Sequence, residues 1–360
     1  MFSLLLLSLA FEPPATVDWP ALVQKPNARV AVQDLGLRPL LEADGKKITT
    51  RAGWEKARQA LRAEWMKRLG EPPARPEKLD AYVKKPETLD GYSRQLVHFR
   101  SEGDDFIRAW LLVPSGLKEG EKRPAVVVFH PTTRDTLDEP AGLGKRKDMA
   151  LAVHLARRGY VTLSPECYIL KDPTGWAKGQ AQALEKRRPG WTGLGKMTFD
   201  ASRCVDYLES LSSVDASRIG CIGHSLGAKE VLYALAFEPR YKAGVFSEGG
   251  IGLRMSNWTD AWYLTEKMKP HIPAMENHQV MALAAPRPLL IVAGDSADGD
   301  ASWTFVKAVL PVYELYGAGE RIGMHNHHAK HSLPRDARRL SYRWLDHWLD
   351  FKPLRDEAGD

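Results

Sequence analysis

Gly223-His224-Ser225-Leu226-Gly227 is the stretch of the chain that decides the fold. The residues before it, Arg218–Ile222, are typical of a short buried strand, and residues 228–236 after it favour a helix. A serine flanked at two residues on either side by glycine predicts a sharp strand-to-helix turn, because glycine allows the close backbone approach that such a turn requires. The turn exposes the hydroxyl of Ser225 and leaves the N–H of Leu226 available as a donor.

Strand and helix patterns alternate along the chain after residue 95. Further strands are predicted at residues 95–99, 106–113, 125–129, 160–163, 243–246 and 288–293, and helices at 199–211, 303–316 and 336–349. The continuous apolar run 125–129 is typical of a strand buried on both faces of a parallel sheet. The alternation therefore predicts an α/β fold with a doubly wound, mostly parallel sheet over residues 95–352.

The two ends of the chain differ from this central part. Residues 11–94 are predicted to be a helical N-terminal extension packed on the core, because they hold one amphipathic helix, 54–69, and too little apolar material for a separate core. Residues 353–360 are predicted to be a C-terminal tail. Residues 1–10 form an apolar run that is too short to span a bilayer but suits a secretory signal, which predicts a secreted or periplasmic protein, with a cytoplasmic one as the alternative.

Composition narrows the classes of partner. The 360 residues carry a net charge of +6, but the basic residues are dispersed among acidic ones, so we expect no nucleic-acid partner. No segment after the first ten residues is apolar enough to predict a membrane span. The three cysteines, Cys167, Cys204 and Cys221, are widely spaced and indicate core residues rather than a disulfide framework. Nothing in the sequence calls for a cofactor.

A serine hydroxyl becomes an effective nucleophile only when a base removes its proton and an acid orients that base. In such a fold the histidine follows the last strand, and His331 lies in that segment, ahead of the helix predicted at 336–349. His325, His327 and His328 compete for the role. Their spacing also fits a zinc site, but no HExxH helix or cysteine pair accompanies them, and we expect no metal.

Two carboxylates compete for the role of the orienting acid. Asp298 follows the strand predicted at 288–293, the usual place for this carboxylate, and Asp295 or Asp300 could instead cap the same loop. Glu248 directly follows the strand after the helix of the nucleophile. We expect Asp298 to be the acid and Glu248 a hydrogen-bonding partner, with the opposite assignment as the alternative.

The tetrahedral oxyanion needs two hydrogen-bond donors. The N–H of Leu226 is one, and the loop after strand 125–129 supplies the other. We expect Thr132 to provide it, because Pro131 has no N–H. His130 is either a further donor or a residue that only ends the strand.

Aromatic side chains follow several of the predicted strands. Trp258, Trp262 and Trp303 could stack on sugar rings, or they could pack against the core. Residues 172–195, which include Trp176, are predicted to form a long loop over the mouth of the site.

Two stretches carry a resemblance to a known family. Residues 200–235, which include the Ser225 turn, and Leu283-Ala284-Ala285-Pro286-Arg287-Pro288-Leu289-Leu290 resemble the α/β-hydrolase superfamily, in its acetyl xylan esterase and dienelactone hydrolase-like branch. The second stretch is also similar to glucuronoyl esterases. In that family a lysine four residues after the nucleophile contacts the sugar, and some members have their acid after the strand that follows; Lys229 and Glu248 match these positions. Leu226 replaces the arginine that follows the serine in glucuronoyl esterases.

Residues and resemblance together predict a serine carboxylesterase that forms an acyl-enzyme. The resemblance implies a carbohydrate ester, such as an acetylated plant polysaccharide, as the substrate. A glucuronoyl esterase, a serine peptidase of related fold and a catalytically silent binding protein are the alternatives.

Overall fold

The computed structural model describes residues 17–24, 35–171 and 176–356. The strands in chain order are β1 (Glu42–Ala43), β2 (Lys46–Lys47), β3 (Tyr82–Val83), β4 (Glu87–Leu89), β5 (Tyr92–Arg100), β6 (Phe106–Pro114), β7 (Arg123–Phe129), β8 (Val161–Pro165), β9 (Val214–His224), β10 (Tyr241–Ser247), β11 (Leu289–Ala293) and β12 (Ile322–Asn326). The α-helices are α1 (Trp19–Val23), α2 (Arg51–Leu69), α3 (Leu151–Arg158), α4 (Trp176–Arg187), α5 (Gly193–Glu209), α6 (Leu226–Phe237), α7 (Asn277–Ala284), α8 (Trp303–Glu314) and α9 (Arg335–Trp348).

Ten of the strands form one sheet. Its spatial order is β12-β11-β10-β9-β7-β8-β6-β5-β3, and β4 pairs with β5 as well. The six strands from β12 to β8 run parallel to one another, while β6, β5 and their short partners are antiparallel. The short strands β1 and β2 pair separately. The carboxyl ends of the parallel strands therefore meet at one edge of the sheet, where sites of such folds lie.

Helices cover both faces of the sheet because its central strands are apolar on both sides. The last six residues of β7 and all of β11 are buried. One core joins the sheet to side chains of α2 and of α5 through α8, and the other joins it to α1, α3 and α9. The doubly wound, mostly parallel sheet that the sequence predicts is confirmed.

Helix α2 packs against the helical layer of this domain. It begins after Thr50, whose Oγ1 accepts a hydrogen bond from the N–H of Gly53 at 3.2 Å. Its Trp54 and Trp65 are buried in the same core as the sheet, and Trp65 Nε1 donates to Gln279 Oε1 at 3.0 Å. The apolar side of α2 is therefore covered by the residues of α7 and its neighbours.

The region predicted to be a long loop is largely helical. Residues 176–187 form α4, and Trp191 is buried, so the prediction is wrong for most of 172–195. Helix α5 begins at Gly193, earlier than predicted, because Thr192 Oγ1 accepts a hydrogen bond from the backbone ahead of it. The sequence also failed to predict α7 and β12.

Some predictions fall outside the described part of the chain. The signal predicted at residues 1–10 lies there, as do the last four residues of the predicted tail 353–360. Within the described ranges, no helix combines the length and the apolar character that a membrane crossing needs.

Candidate active site

Ser225 lies on a sharp turn between a strand and a helix. Strand β9 ends at His224 and α6 begins at Leu226, and the serine between them has φ 58° and ψ −115°. A positive φ is strained for a residue with a side chain, and the surrounding structure must therefore hold it in place. The N–H of Ser225 donates to the carbonyl of Ser247 at 2.8 Å, which ties the turn to the end of β10.

The two glycines of the turn have no room for a side chain. A Cβ on Gly223 would lie 2.3 Å from the carbonyl carbon of Gly227, and a Cβ on Gly227 would lie 2.2 Å from the carbonyl oxygen of Phe129. Both distances are far inside van der Waals contact. The turn therefore requires glycine at both positions, as the sequence pattern predicts.

His331 and Glu248 are brought together at the same edge of the sheet. His331 Nδ1 lies 3.1 Å from Glu248 Oε2, and the glutamate side chain is buried whereas that of the histidine is 45% exposed. Glu248 also accepts hydrogen bonds from the N–H groups of Gly294 and Ala297. A buried carboxylate held in this way fixes the tautomer of the imidazole, with Nδ1 as donor, and leaves Nε2 as the basic nitrogen.

Asp298 does not occupy the place that the sequence predicts for it. Its carboxylate is buried and accepts hydrogen bonds from the N–H groups of Gly250 and Ile251, both at 2.7 Å, and from Ser302 Oγ at 2.9 Å. The geometry contradicts the preference for Asp298 over Glu248, because it is Glu248 that contacts His331. Burial raises the pKa of the Asp298 carboxyl to about 6, although the donors from Ile251, Ser302 and Gly250 act to lower it.

His224, which precedes Ser225, contacts Ser247, which precedes Glu248, and the sequence predicts no role for either of them. His224 Nδ1 lies 3.0 Å from Ser247 Oγ, and its ring centroid lies 4.8 Å from that of His331. Burial is the main reason that the pKa of His224 falls to about 3, so the ring is neutral at ordinary pH. His224 lies inside the motif of residues 223–227, which could have marked it as a site residue. Nothing in the sequence marks Ser247 in this way.

The proposed oxyanion donors are Leu226, directly after Ser225, and Thr132, in the loop after β7. Leu226 is the first residue of α6, so its N–H has no acceptor within the helix. Thr132 is exposed in the loop after β7. His130 is used internally: Nε2 lies 3.0 Å from the N–H of Cys167, and Nδ1 lies 2.8 Å from the carbonyl of Pro131. Of the two roles considered for His130, this arrangement matches the one that ends the strand.

The other three histidines do not assemble the zinc site that their spacing allows. His327 uses both ring nitrogens locally, with Ala329 N–H at 3.0 Å and Ser332 O at 3.1 Å. His328 Nδ1 lies 2.6 Å from Asp295 Oδ2. Among the described residues, the one group with spacing suitable for a metal is His328 with Asp295 and Asp300, and it includes no second histidine.

The predicted sugar-binding side chains separate into two groups. Lys229 is buried, and its Nζ donates to Asn257 Oδ1 at 2.5 Å and lies 4.7 Å from the ring centroid of Trp258. Trp258 is fully buried and donates to a backbone carbonyl, so the prediction that it stacks on a sugar is wrong. Trp262 and Trp303 are half-buried and pack partly against the core.

Part of the chain is similar in sequence to known proteins. The sequence model of the prolyl oligopeptidase family matches residues 182–351. Carbohydrate esterase MZ0003, from an unknown prokaryotic organism, is 24% identical over 42% of this chain and 38% of its own length. The putative hydrolase YtaP of Bacillus subtilis (strain 168) is 25% identical over 61% of this chain and 65% of its own length. The alignments thus span less than two thirds of either relative.

Solved structures share the fold at low sequence identity. A glucuronoyl esterase from Solibacter usitatus superposes with a TM-score of 0.70, 20% identity, and coverage of 90% of this chain and 98% of that one. A glucuronoyl esterase from Teredinibacter turnerae T7901 superposes with a TM-score of 0.65 and 20% identity, and the match covers 87% of this chain and 89% of that one. A putative acetyl xylan esterase from Bacteroides fragilis NCTC 9343 superposes with a TM-score of 0.61 and 15% identity, and the match covers 78% of this chain and 76% of that one. The chain therefore shares the fold of these esterases, and its residues 182–351 resemble the prolyl oligopeptidase family.

Proposed function

We propose that the protein is a serine carboxylesterase in which Ser225 is the nucleophile, His331 the base and Glu248 the orienting acid. One observation carries the proposal: Glu248 Oε2 lies 3.1 Å from His331 Nδ1, at the sheet edge where Ser225 stands on its strained turn. A buried carboxylate, a half-exposed imidazole and a partly exposed turn serine are the three parts that nucleophilic acyl transfer needs.

The reaction then proceeds in two halves. Ser225 Oγ attacks the ester carbonyl while His331 Nε2 takes its proton, and Glu248 stabilises the imidazolium that forms. The N–H groups of Leu226 and Thr132 hold the oxyanion until the C–O bond breaks and the alcohol leaves with the proton from His331. Water, activated by the same histidine, attacks the acyl-serine, and the carboxylic acid is released as the proton returns to the serine.

A carbohydrate ester is the substrate class that we favour. Esterases with carbohydrate ester substrates in their names occur among both the sequence relatives and the structural neighbours. Lys229 and Glu248 support a glucuronoyl esterase as one version of this proposal, and Leu226, in place of arginine, argues for a different ester. Such polymers lie outside cells, so export guided by residues 1–10 belongs to the same proposal.

A serine peptidase is the second candidate. The match to the prolyl oligopeptidase family over residues 182–351 is the observation that favours it. Peptide and ester hydrolysis use the same triad, so the two candidates differ in the substrate and not in the roles of Ser225, His331 and Glu248.

Labelling by a fluorophosphonate probe tests whether the serine is activated. We expect the native protein to be labelled on Ser225, the Ser225→Ala variant to remain unlabelled, and the Ser212→Ala variant, which alters an exposed serine elsewhere, to label normally. A native protein that resists the probe would favour the silent binding protein.

A substrate panel then separates the enzymatic candidates. We expect the native protein to hydrolyse acetylated xylo-oligosaccharides or sugar-acid methyl esters faster than prolyl peptides, and Ser225→Ala to lose roughly three to six orders of magnitude in kcat. Faster cleavage of the peptides would replace the esterase proposal with the peptidase one.

A further inference from the structure

A cavity of about 660 Å³ is lined in part by the loop that follows β7. In the sheet, β9 carries the serine, the next strand β7 carries the loop with Thr132, and β8 and β6 lie beyond it. The cavity is lined from those strands: Arg134 follows β7, Glu166 and Lys171 follow β8, and Arg108 lies in β6. Its volume falls within the range of about 300–1,000 Å³ that is usual for ligand sites.

The cavity wall is joined firmly to the proposed oxyanion loop. His130, at the start of that loop, accepts a hydrogen bond from the N–H of Cys167, the residue that follows Glu166. Arg134 is two residues beyond Thr132. The cavity and the proposed oxyanion donor Thr132 therefore share the loop that follows β7.

Most of the charges around the cavity are already paired. Arg108 contacts Glu166 at 2.6 Å, and Lys171 contacts Asp105 at 2.7 Å. The carboxylate of Asp138 accepts the indole N–H of Trp110 at 2.6 Å. Each of these groups is thus held by another residue of the protein.

Arg134 differs from these groups. It is exposed, and among the described residues no carboxylate pairs with it. A guanidinium that projects into a cavity without a counter-ion is suited to a carboxylate, which it binds through two parallel hydrogen bonds. The guanidinium of Arg134 therefore favours an anionic ligand in this cavity.

Trp176 supplies the second element of the site. It is the first residue of α4, it lines the cavity, and 38% of its surface is exposed, which is unusual for a side chain of this size. An indole face presented at a cavity binds flat rings that carry a polar periphery, and sugar rings have this character. A carboxylate and a sugar ring are combined in a uronate.

We propose that this cavity, between Arg134 and Trp176, binds a uronate unit that neighbours the ester in an acidic polysaccharide. The inference rests on the proposed carbohydrate esterase function and extends it. An esterified carboxyl group has no charge, so the anion that Arg134 binds belongs to a second, free acid on the same chain. The preferred substrate is therefore a partly esterified acidic polysaccharide, and the sugar with the free acid lies beyond the oxyanion loop.

Direct binding to the Ser225→Ala protein tests the site without turnover. The probes are trigalacturonate and the matched trisaccharide in which its three carboxylates are reduced to hydroxymethyl groups, measured by calorimetry. We expect trigalacturonate to bind at least about tenfold more tightly, with an affinity that falls as salt rises. Inorganic sulfate at equal concentration should compete weakly, because it offers no ring to Trp176. Equal affinity for the two sugars, or full competition by sulfate, would overturn the proposal.

Variants in the same background assign the contacts. Arg134→Gln should remove the preference for the charged sugar, whereas Arg343→Ala, which removes an exposed arginine of α9, should preserve it. Trp176→Ala should weaken the binding of both trisaccharides, and Trp176→Phe should retain part of the affinity that the alanine variant loses. Unchanged binding in Arg134→Gln, with a normal thermal melt, would also reject the site.

The ester panel with native protein keeps this inference separate from the proposed function. Ester hydrolysis without any preference for trigalacturonate would reject the uronate site alone. Selective trigalacturonate binding through Arg134, in a protein that hydrolyses no ester, would reject the esterase proposal and retain the site.

Discussion

Glu248 and Asp298 each hold the loop that carries the other. The Glu248 side chain accepts hydrogen bonds from the N–H groups of Gly294 and Ala297, in the loop of Asp298, while Asp298 accepts those of Gly250 and Ile251, just after Glu248. Glu248 itself has φ 52°, a strained conformation that needs such support. One carboxylate thus contacts the imidazole, and the other positions the backbone behind it.

This division of roles predicts different effects for the two isosteric variants. Glu248→Gln should lower kcat by roughly two to four orders of magnitude, because His331 loses the charge that stabilises its imidazolium. Asp298→Asn should lower kcat much less and should lower the melting temperature instead, since an amide NH₂ then faces backbone N–H donors at a cost of about 1–3 kcal/mol. Steady-state kinetics and thermal melts of both variants separate these effects. A larger loss of kcat in Asp298→Asn would restore Asp298 as the acid.

At the residue scale, the sequence predicted the serine turn but not which carboxylate contacts His331. The turn depends on Gly223 and Gly227, which are local and visible in the motif. The choice of acid depends on how two loops after β10 and β11 approach the loop of His331, and no local pattern encodes that distance. The same limit explains Trp258, whose burial depends on packing against Lys229 and not on its neighbours in the chain.

At the element scale, α1 packs beside the strand that leads to His331, the proposed base. Trp19 of α1 is buried, and its ring centroid lies 4.9 Å from that of Trp344 in α9. Gln24, directly after α1, donates through Nε2 to the carbonyls of Gly319 at 2.6 Å and Ile322 at 2.7 Å. Strand β12 is at the edge of the sheet, and these contacts cover it.

Loss of the contact between Trp19 and α9 should therefore destabilise the fold without changing the rate of the reaction. Trp19→Ala removes a large buried side chain, and we expect a loss of about 3–5 kcal/mol with kcat largely unchanged at temperatures where the variant remains folded. Leu22→Ala, in the same helix but 43% exposed, is the matched control and should change stability by less than about 0.5 kcal/mol. Denaturant unfolding measures both. Equal free energies of unfolding in the two variants would mean that α1 does not support β12.

The elements that the sequence missed share a physical cause. Strand β12 contains glycine, histidine and asparagine, which are weak strand formers, and it is ordered by parallel pairing with β11. Helix α4 contains Gly179 and many charges, so its local pattern indicated a loop. Strands β7 and β11 were predicted because a continuous apolar run needs no partner to be recognised.

At the scale of the whole molecule, two buried lysines differ in their counter-ions. Lys196 contacts Asp200 at 2.6 Å and Asp105 at 2.7 Å. Burial alone lowers the pKa of Lys196, and these two carboxylates raise it above its ordinary value. Lys229 donates to Ser256 Oγ and Asn257 Oδ1, which carry no charge. Burial lowers the pKa of Lys229 to about 7, against smaller opposing effects of Asp260 and Asp298.

The stability of the protein should consequently rise with pH on account of Lys229. Between pH 7 and its ordinary pKa of about 10.5, the unfolded chain binds a proton at Lys229 that the native state does not, so the free energy of unfolding increases with pH across that window. Below pH 7 the cost of the buried charge is complete, at about 5 kcal/mol if the whole shift is realised.

Lys229→Met removes that proton while keeping the length of the side chain. The melting temperature of the variant relative to the parent should be highest near pH 6 and should fall steadily towards pH 10, because the parent gains stability there and the variant does not. Lost hydrogen bonds to Ser256 and Asn257 displace this difference by a constant amount and do not change its slope. Lys307→Met, at an exposed position of α8, should give a flat difference over the same range. Parallel curves for Lys229→Met and its parent would show that the buried ammonium carries no penalty, and that the neutral partners and the rings of Trp258 and Tyr263 compensate fully for its burial.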